Sequence, residues 1–232
     1  TFQMFTNAKA FNQPLNNWNM SKVDNPGWMF YGASAFNQPL NKWNMSKATN
    51  MMYMFNGATS FNQDINSWDV SKVTAMNGMF FNAKAFNKPL NNWNVGAVTG
   101  FNGMFTNAEA FNQPLDKWNT SSGKAMQGMF NGAITFNQNI DSWNTGNVTN
   151  MSSVFKDATA FNQPLNNWNI SKVWTMSYMF SGATAFNQPL DKWVHTSATD
   201  LQFVFQNATA FNQNINSWNV SSVDTMNYMF SG

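Results

Sequence analysis

Residues 35–59 read AFNQPLNKWNMSKATNMMYMFNGAT, and nearly the same string begins again at residue 60. Phe recurs nine times at steps of 25 residues from Phe11 to Phe211, and Trp does so from Trp18 to Trp218. We call residues separated by multiples of 25 a column, and name each column by one of its members. Such in-register repetition indicates units that bury their apolar side chains by stacking on one another.

Length alone would suggest one or two globular domains. Because the repeat runs through the sequence, residues 1–232 are instead interpreted as one elongated solenoid domain. The chain opens inside a unit, at TFQMF, and stops inside another, at NYMFSG. It shows no initiator Met, no signal peptide and no polar capping unit. We therefore expect a fragment of a longer repeat array.

The composition excludes several classes of function. With 12 basic residues, all Lys, 10 acidic residues and a net charge of +2, nucleic acid is not an expected partner. No run of about 18 apolar residues occurs, so no transmembrane segment is expected in this chain. Cys is absent and His195 is the one histidine, so we expect neither a metal site nor a cofactor. Because a chain without Cys fits oxidising and reducing compartments alike, the composition does not indicate in which of them the protein works.

The first half of a unit has the spacing of a short strand. Leu40, Trp43 and Met45 are apolar, and in a strand Trp43 and Met45 point to one face while Lys42 and Asn44 point to the other. The Met20 column is mostly apolar, as a buried position requires. One strand per unit therefore predicts a parallel sheet.

The second half of a unit has the spacing of a helix. Met51, Met54, Phe55 and Ala58 follow i, i+3, i+4, i+7, with residues 49–50 as candidate N-caps. The next column contains only Gly, Asn or Asp, the residues that best tolerate the left-handed conformation at a helix C-terminus. Its members are Asn7, Gly32, Gly57, Asn82, Asn107, Gly132, Asp157, Gly182, Asn207 and Gly232. The predicted fold is therefore an α/β repeat solenoid of nine 25-residue units, with parallel strands on one face and short helices on the other.

The spacing of Leu40, Trp43 and Met45 resembles the L-x-x-L-x-L of leucine-rich repeats. The fuller string W-N-[MV]-S-K-[VA]-T-x-M-x-x-M-F-x-x-A-x-x-F-N-Q resembles the BspA-like repeats of bacterial and protist surface proteins and mycoplasma lipoproteins. The resemblance covers essentially the whole chain and implies a surface-exposed, adhesive or matrix-type role at the cell surface or outside the cell. The usual Asn of the leucine-rich repeat has no clear counterpart, and Ser21, Ser46 and Ser71 stand near its place.

A second, longer period of three units is superimposed on the 25-residue repeat. The Asn17 column reads Asn, Lys, Ser three times over, and every third unit replaces Pro-Leu with Asp64-Ile65 or its equivalents Asn139-Ile140 and Asn214-Ile215. Duplication of a 75-residue block explains this pattern, and so does a surface matched to a repetitive ligand or lattice partner. Both interpretations stay open at this point.

The outward positions of the predicted strands form the candidate partner surface, which we call the polar face. Its seventeen residues are Asn17, Asn19, Lys42, Asn44, Ser67, Asp69, Asn92, Asn94, Lys117, Asn119, Ser142, Asn144, Asn167, Asn169, Lys192, Ser217 and Asn219. Units of equal length leave no long irregular loops of the kind that build active sites, so an enzyme is not expected. The hypotheses are self-association into a fibre or sheath, and adhesion to a surface glycan or protein.

Three further features have a functional and a plainer interpretation. Asp116 and Asp141 occupy one column in adjacent units, which is compatible with a retaining glycosidase pair or with replacement of exposed Asn. His195 lies in the irregular stretch KWVHTSATD. It either makes this unit sensitive to pH or marks a unit that is packed less tightly than the others.

The third feature is aromatic. The aromatic residues of the Trp28 column form an exposed docking strip or are partly buried between neighbouring helices. From residue 28 onwards, the other positions of this column are Gly or Ser. The aromatic members are Trp28, Tyr53, Tyr178, Phe203 and Tyr228, with Trp174 in a neighbouring column. Eight N-x-S/T sequons also occur, which an Asn-rich sequence produces incidentally.

Overall fold

The computed structural model describes residues 2–193 and 197–232. Within these ranges the backbone forms no α-helix and no extended strand, and each unit is a series of turns joined by irregular segments. Isolated parallel bridges link one residue of a unit to its equivalent in the next. The bridged residues are Asn50, Ala75, Gly100, Ala125, Asn150, Thr175, Asp200 and Thr225. The predicted α/β solenoid of parallel strands and short helices is therefore wrong, and the described chain is a stack of coils built from turns.

The segment predicted to be helical, residues 51–58, is a run of consecutive turns. The N–H of Asn56 donates to the carbonyl of Tyr53 at 3.2 Å, and the N–H of Ala58 donates to Phe55 at 3.0 Å. These are i to i+3 bonds, whereas an α-helix closes on the fourth preceding carbonyl. Consecutive turns also bury the apolar side chains of this segment. Apolar residues at i, i+3, i+4 and i+7 are therefore compatible with a run of turns as well as with a helix.

The N–H groups between these turns donate to the next coil. Tyr53 N–H donates to the carbonyl of Asn77 at 2.9 Å, and Phe55 N–H donates to Met79 at 2.9 Å, 24 residues further along. In an α-helix such groups would be consumed within the segment, because each interior N–H bonds within its own helix. Coil-to-coil bonding therefore replaces helical bonding here, and it joins each unit to its neighbour.

Two left-handed columns interrupt any helical path. The Asn7 column has positive φ in all ten units, as its Gly, Asn and Asp residues predicted, although it ends a turn rather than a helix. The second is the Trp28 column, four residues earlier in each turn segment, where Tyr53 has φ of 55° and Gly78 has φ of 58°. A non-glycine residue in this region costs roughly 1–2 kcal/mol, so bulky aromatic residues there must be held by their packing.

The segment predicted to be a strand, residues 40–45, lacks a backbone ladder. Trp43 N–H turns back to the carbonyl of Leu40 at 3.1 Å, while Lys42 N–H donates to the side-chain oxygen of Asn16 in the preceding unit at 3.0 Å. An asparagine side chain thus supplies the acceptor that a neighbouring strand would have supplied. The predicted alternation is still present, because Trp43 and Met45 are buried while Lys42 is exposed.

The Asn12 column joins successive coils at a further point. The side-chain oxygen of Asn12 accepts the backbone N–H of Asn37 at 2.9 Å, and Asn37 accepts that of Asn62 in the same way. The bond repeats at each step to Asn212. This ladder explains why Asn follows Phe in all nine copies, since a shorter or apolar side chain would leave the next N–H unpaired.

Tryptophan also links the coils through its indole nitrogen. Trp43 Nε1 donates to the carbonyl of Leu15 at 2.9 Å, and Trp68 donates to Leu40 at 3.0 Å. The same bond recurs in every later unit up to Trp218. Each of these buried Trp side chains therefore fills the core and satisfies a carbonyl that would otherwise be desolvated.

Columns of aromatic rings form the core. Phe55 lies 5.8 Å from Phe80 in the next unit with an interplanar angle of 7°, and 3.9 Å from Phe61 in its own unit. Trp43 and Trp68 are likewise stacked, with 6.2 Å between ring centroids. The predicted continuous interior columns are confirmed, and each buried aromatic ring stabilises the stack by about 1.5–3 kcal/mol.

Substitution of Gly128 can measure the free-energy cost of placing a non-glycine residue at the positive φ of the Trp28 column. The φ of Gly128 is 63°, and an added Cβ would meet only ordinary contacts, the nearest being Thr106 Oγ1 at 3.7 Å. We expect Gly128→Ala to lower the free energy of unfolding by about 1–2 kcal/mol, measured by urea denaturation. Gly128→Asn is the matched control and should lose less, because Asn tolerates this conformation better. Equal stability of the Ala variant and the native protein would contradict the left-handed assignment.

Candidate functional site

All seventeen residues of the polar face are exposed. Their inward neighbours differ sharply, because Trp93 and Val95 are buried on either side of exposed Asn94. Polar side chains recur at the two positions of this face in successive coils, apart from position 194, where the sequence has Val. The polar face is therefore a periodic surface of amides, hydroxyls and a few charges.

The Asn19 half of the polar face also shapes the backbone. Asn44 Oδ1 accepts the N–H of Ser46 at 3.0 Å, which closes an Asx turn, and Asp69 does the same with Ser71 at 3.0 Å. Equivalent turns occur at Asn19, Asn94, Asn119, Asn144, Asn169 and Asn219. The Asx turns give these side chains a structural role, which accounts for their recurrence. Their oxygens are already hydrogen-bonded, so this column offers a partner fewer free polar groups than the Asn17 column does.

Asp69 is the carboxylate in this column, and its turn alters its protonation. Hydrogen bonds from the side chain and then the backbone of Ser71 hold the pKa of Asp69 below its ordinary value of 3.8. Because the pKa is depressed in the folded state, the associated stability is present above the unfolded pKa and is lost as pH falls through the folded pKa.

We expect Ser71→Ala to raise the pKa of Asp69 towards 3.8, because the largest stabilising hydrogen bond is removed. The measurement is an NMR titration of the Asp69 carboxyl carbon. Ser46→Ala, one unit earlier, is the matched control and should leave the Asp69 pKa unchanged. An unaltered titration in Ser71→Ala would contradict the assigned cause.

The three-unit rhythm of the Asn17 column has a structural cause. In Pro-Leu units the backbone N–H bonds to the preceding unit, as Lys117 does to Asn91 Oδ1 at 3.1 Å. In every third unit the serine hydroxyl donates instead to a preceding carbonyl, as Ser142 does to Asp116 at 3.2 Å. Ser67 and Ser217 make the same contact.

Replacement of proline accompanies that change. Asn139 Oδ1 accepts the N–H of Asp141 at 3.0 Å and closes a local turn, and Asp64 and Asn214 do the same for the residue two positions on. Pro and Asn or Asp are thus two ways of forming the same bend. The three-unit rhythm of the sequence is therefore accompanied by a three-unit rhythm of hydrogen bonding.

An open cleft of about 630 Å³ lies beside the polar face and is lined by both Asp116 and Asp141. Its lining residues are Pro114, Asp116, Gln138, Asn139, Asp141, Ser142 and Asn167. Asp116 and Asp141 were singled out by their column, and Ser142 and Asn167 by their outward position. Pro114, Gln138 and Asn139 were not proposed as site residues, although Asn139 replaces a recurrent proline and thereby marked the unit.

Neighbouring amides hold both carboxylates of the cleft. Asp116 Oδ1 accepts from Asn91 Nδ2 at 2.9 Å, while Asp141 accepts the backbone N–H of Asn167 at 3.0 Å and its side-chain amide at 2.6 Å. The arrangement presents several oxygen acceptors in fixed positions, which suits a cationic group or a set of hydroxyls.

The described residues contain neither a metal-binding cluster nor a membrane-spanning helix. Across residues 2–193 and 197–232, no three acidic or histidine side chains are grouped to hold a metal ion. In the same part of the chain, no helix has the length and apolarity needed to cross a bilayer. His195, the proposed pH-sensitive point, lies outside the described residues.

The aromatic column is only partly accessible. Tyr178 and Phe203 are half-buried and lie face to face, with 4.5 Å between centroids and an interplanar angle of 8°. Trp28 and Tyr53 are also half-buried, whereas Trp174 is 50 % exposed. Tyr178 and Phe203 therefore cover one face of each other, whereas Tyr228 at the end of the column is 65 % exposed.

Comparison with known proteins identifies a family for the repeat. The family model described as "Mycoplasma protein of unknown function, DUF285" matches residues 1–59, 40–143, 88–193 and 125–232. A search of curated proteins finds no match.

Two solved structures show a weak similarity to this chain. A TLR13–ssRNA13 complex is 10% identical with a TM-score of 0.31, and the alignment covers 76% of this chain but 27% of that one. The internalin InlF of Listeria monocytogenes is 8% identical with a TM-score of 0.26, covering 78% of this chain and 67% of that one.

Proposed function

The chain belongs to the DUF285 family of mycoplasma proteins of unknown function, and we propose that it is a non-enzymatic repeat protein that assembles with further copies at a cell surface. The assembly would be a fibre or sheath, with the polar face as the contact between copies. No cofactor takes part.

The observation that carries this proposal is that all seventeen residues of the polar face are exposed and recur at a constant 25-residue step. Two copies have the same coil spacing, so columns on one copy stay in register with columns on another over many units. Adjacent coils joined by parallel bridges are about 4.8 Å apart. A contact repeated at that interval can be extensive although each residue contributes little.

The surface location rests on the resemblance of the repeat to BspA-like surface proteins. Strings such as WNMSKATNMMYMF, residues 43–55, carry that resemblance. Uniform unit length supports a non-enzymatic role, since active sites generally gather unlike residues from irregular loops. Hydrolysis of a glycan that is abolished by Asp116→Asn or Asp141→Asn would contradict that role.

Electron microscopy and sedimentation velocity test assembly directly. We expect concentration-dependent filaments or sheets, and Asn92→Trp should suppress them because a bulky ring would stand out from the polar face. Thr159→Trp, at an exposed position outside that face, is the matched control and should assemble normally. Strictly monomeric particles at high concentration would refute the proposal.

The cleft favours a second candidate, an adhesion module for a glycan or another protein. It interrupts an otherwise uniform face and offers amide, carboxylate and hydroxyl groups together. A glycan array tests the sugar form of this candidate, and binding should be lost in Asp141→Ala. An array without any bound glycan would count against it.

A further inference from the structure

Lysines form a column of their own in the first three units. Lys22, Lys47 and Lys72 stand 25 residues apart and are exposed. The ion pairs found among the described residues are Lys84–Glu109 and Lys156–Asp157, so Lys22 and Lys47 contribute to neither. These two ammonium groups therefore project from successive coils without an acidic partner in ion-pair contact in the described part of the chain.

The carboxylates of the cleft have the same spacing and the opposite charge. Asp116 and Asp141 also stand 25 residues apart, and neither belongs to an ion pair of the described residues. Their hydrogen-bond partners are neutral amides, so their negative charge is not compensated by those bonds. The cleft is open to solvent, which leaves the carboxylates accessible to an ammonium group from outside.

The repeat gives the lysine pair and the aspartate pair the same spacing. The offset from Lys22 to Asp116 is 116 − 22 = 94 residues, and the offset from Lys47 to Asp141 is 141 − 47 = 94 residues. When two parallel copies are staggered by four units, Lys22 of one copy therefore lies level with the coil of Asp116 in the other, and Lys47 lies level with the coil of Asp141.

Building on the proposed assembly, we propose that Lys22 and Lys47 of one copy enter the Asp116–Asp141 cleft of another. The contact joins two different surfaces, and each copy carries both of them. Such a heterologous contact with a translational stagger does not close into a ring but continues into an open-ended array. The partner is thus a second copy of this chain, and opposite charges at a matching 25-residue step join the two copies.

Exposed ion pairs are individually weak and are screened by salt. Assembly should therefore be strongest at low ionic strength and should weaken progressively as salt is added. Association through apolar contact alone would instead persist at high salt.

Charge exchange tests the contact. We expect Lys22→Glu/Lys47→Glu and Asp116→Lys/Asp141→Lys each to weaken self-association at least tenfold in sedimentation velocity at low salt. Mixing the two variants should restore association, because each then supplies the charge that the other lacks. Lys9→Glu/Lys124→Glu, which makes the same charge change at other exposed lysines, is the control and should assemble normally.

The possible results separate this contact from the general proposal. Filaments that form equally well in all charge variants would overturn the lysine–aspartate contact but leave assembly standing. Absence of assembly in the native protein at every salt concentration would overturn both. Glycan binding by the cleft that is lost in Asp116→Lys/Asp141→Lys, with assembly unchanged, would also overturn the contact. Circular dichroism on each variant establishes that its fold is retained.

Discussion

Phe105→Ala is expected to lower the free energy of unfolding by about 3–5 kcal/mol, the range for removing a large buried aromatic side chain. Phe105 is fully buried and stacks on Phe80 at 5.6 Å and on Phe130 at 5.5 Å. It also packs on Phe111 in its own unit at 4.2 Å. Since coils on both sides fix the positions of these rings, the cavity cannot collapse readily, and we expect the loss towards the upper end.

Urea denaturation followed by circular dichroism measures this loss. Trp174→Ala is the matched control, because that ring is half exposed and its removal should change stability by no more than about 0.5 kcal/mol. In a stack of repeats the loss can appear as separate unfolding of part of the array, so the whole transition must be compared. Similar losses in the two variants would show that the Phe5 column is not a packed core.

Asn112→Ala is the second substitution with a large expected effect. Asn112 Oδ1 accepts the backbone N–H of Asn137 at 2.9 Å and the side-chain amide of Gln138 at 2.9 Å. Alanine would leave a partly buried backbone N–H unpaired, which costs about 1–3 kcal/mol.

Asn112→Asp distinguishes the acceptor from the side-chain volume. Aspartate retains oxygens in the same place and can accept both bonds, so it should be clearly more stable than the alanine variant at neutral pH. The comparison uses the urea midpoint of each protein. Equal losses for Ala and Asp would mean that the Asn12 ladder does not bear on stability.

The repeat and its buried columns could be predicted because identity at a fixed step constrains stacking whatever the local backbone does. Phe55 and Trp43 were expected inside, and both are buried. The left-handed Asn7 column was also predictable, since only residues that tolerate positive φ occur there. These inferences depend on side-chain chemistry rather than on the type of secondary structure.

The helix and strand could not be predicted correctly from the same residues. Met51, Met54 and Phe55 have helical spacing, but a run of turns also places them inside. The clue was the Trp28 column, where Gly78 and its equivalents marked a left-handed position, and the aromatic residues of other units obscured that clue.

The exposure of the polar face followed from alternation, but its internal bonding did not. The sequence does not distinguish an Asn that closes an Asx turn, such as Asn44, from an Asn whose side chain is free to bind another molecule. The Ser of every third unit was noticed as a rhythm, yet its contact with a preceding carbonyl became evident only from the positions of neighbouring coils. The cleft likewise depends on how three units stack.

Hydrogen-bond scalar couplings measured by NMR test the central claim, that successive coils are joined through alternate N–H groups. The account predicts couplings from the amide nitrogens of Phe101, Gly103 and Phe105 to the carbonyl carbons of residues 125, 127 and 129 respectively. Couplings from the same nitrogens to carbonyls four residues earlier would signify α-helical bonding and would contradict a stack of turn-built coils.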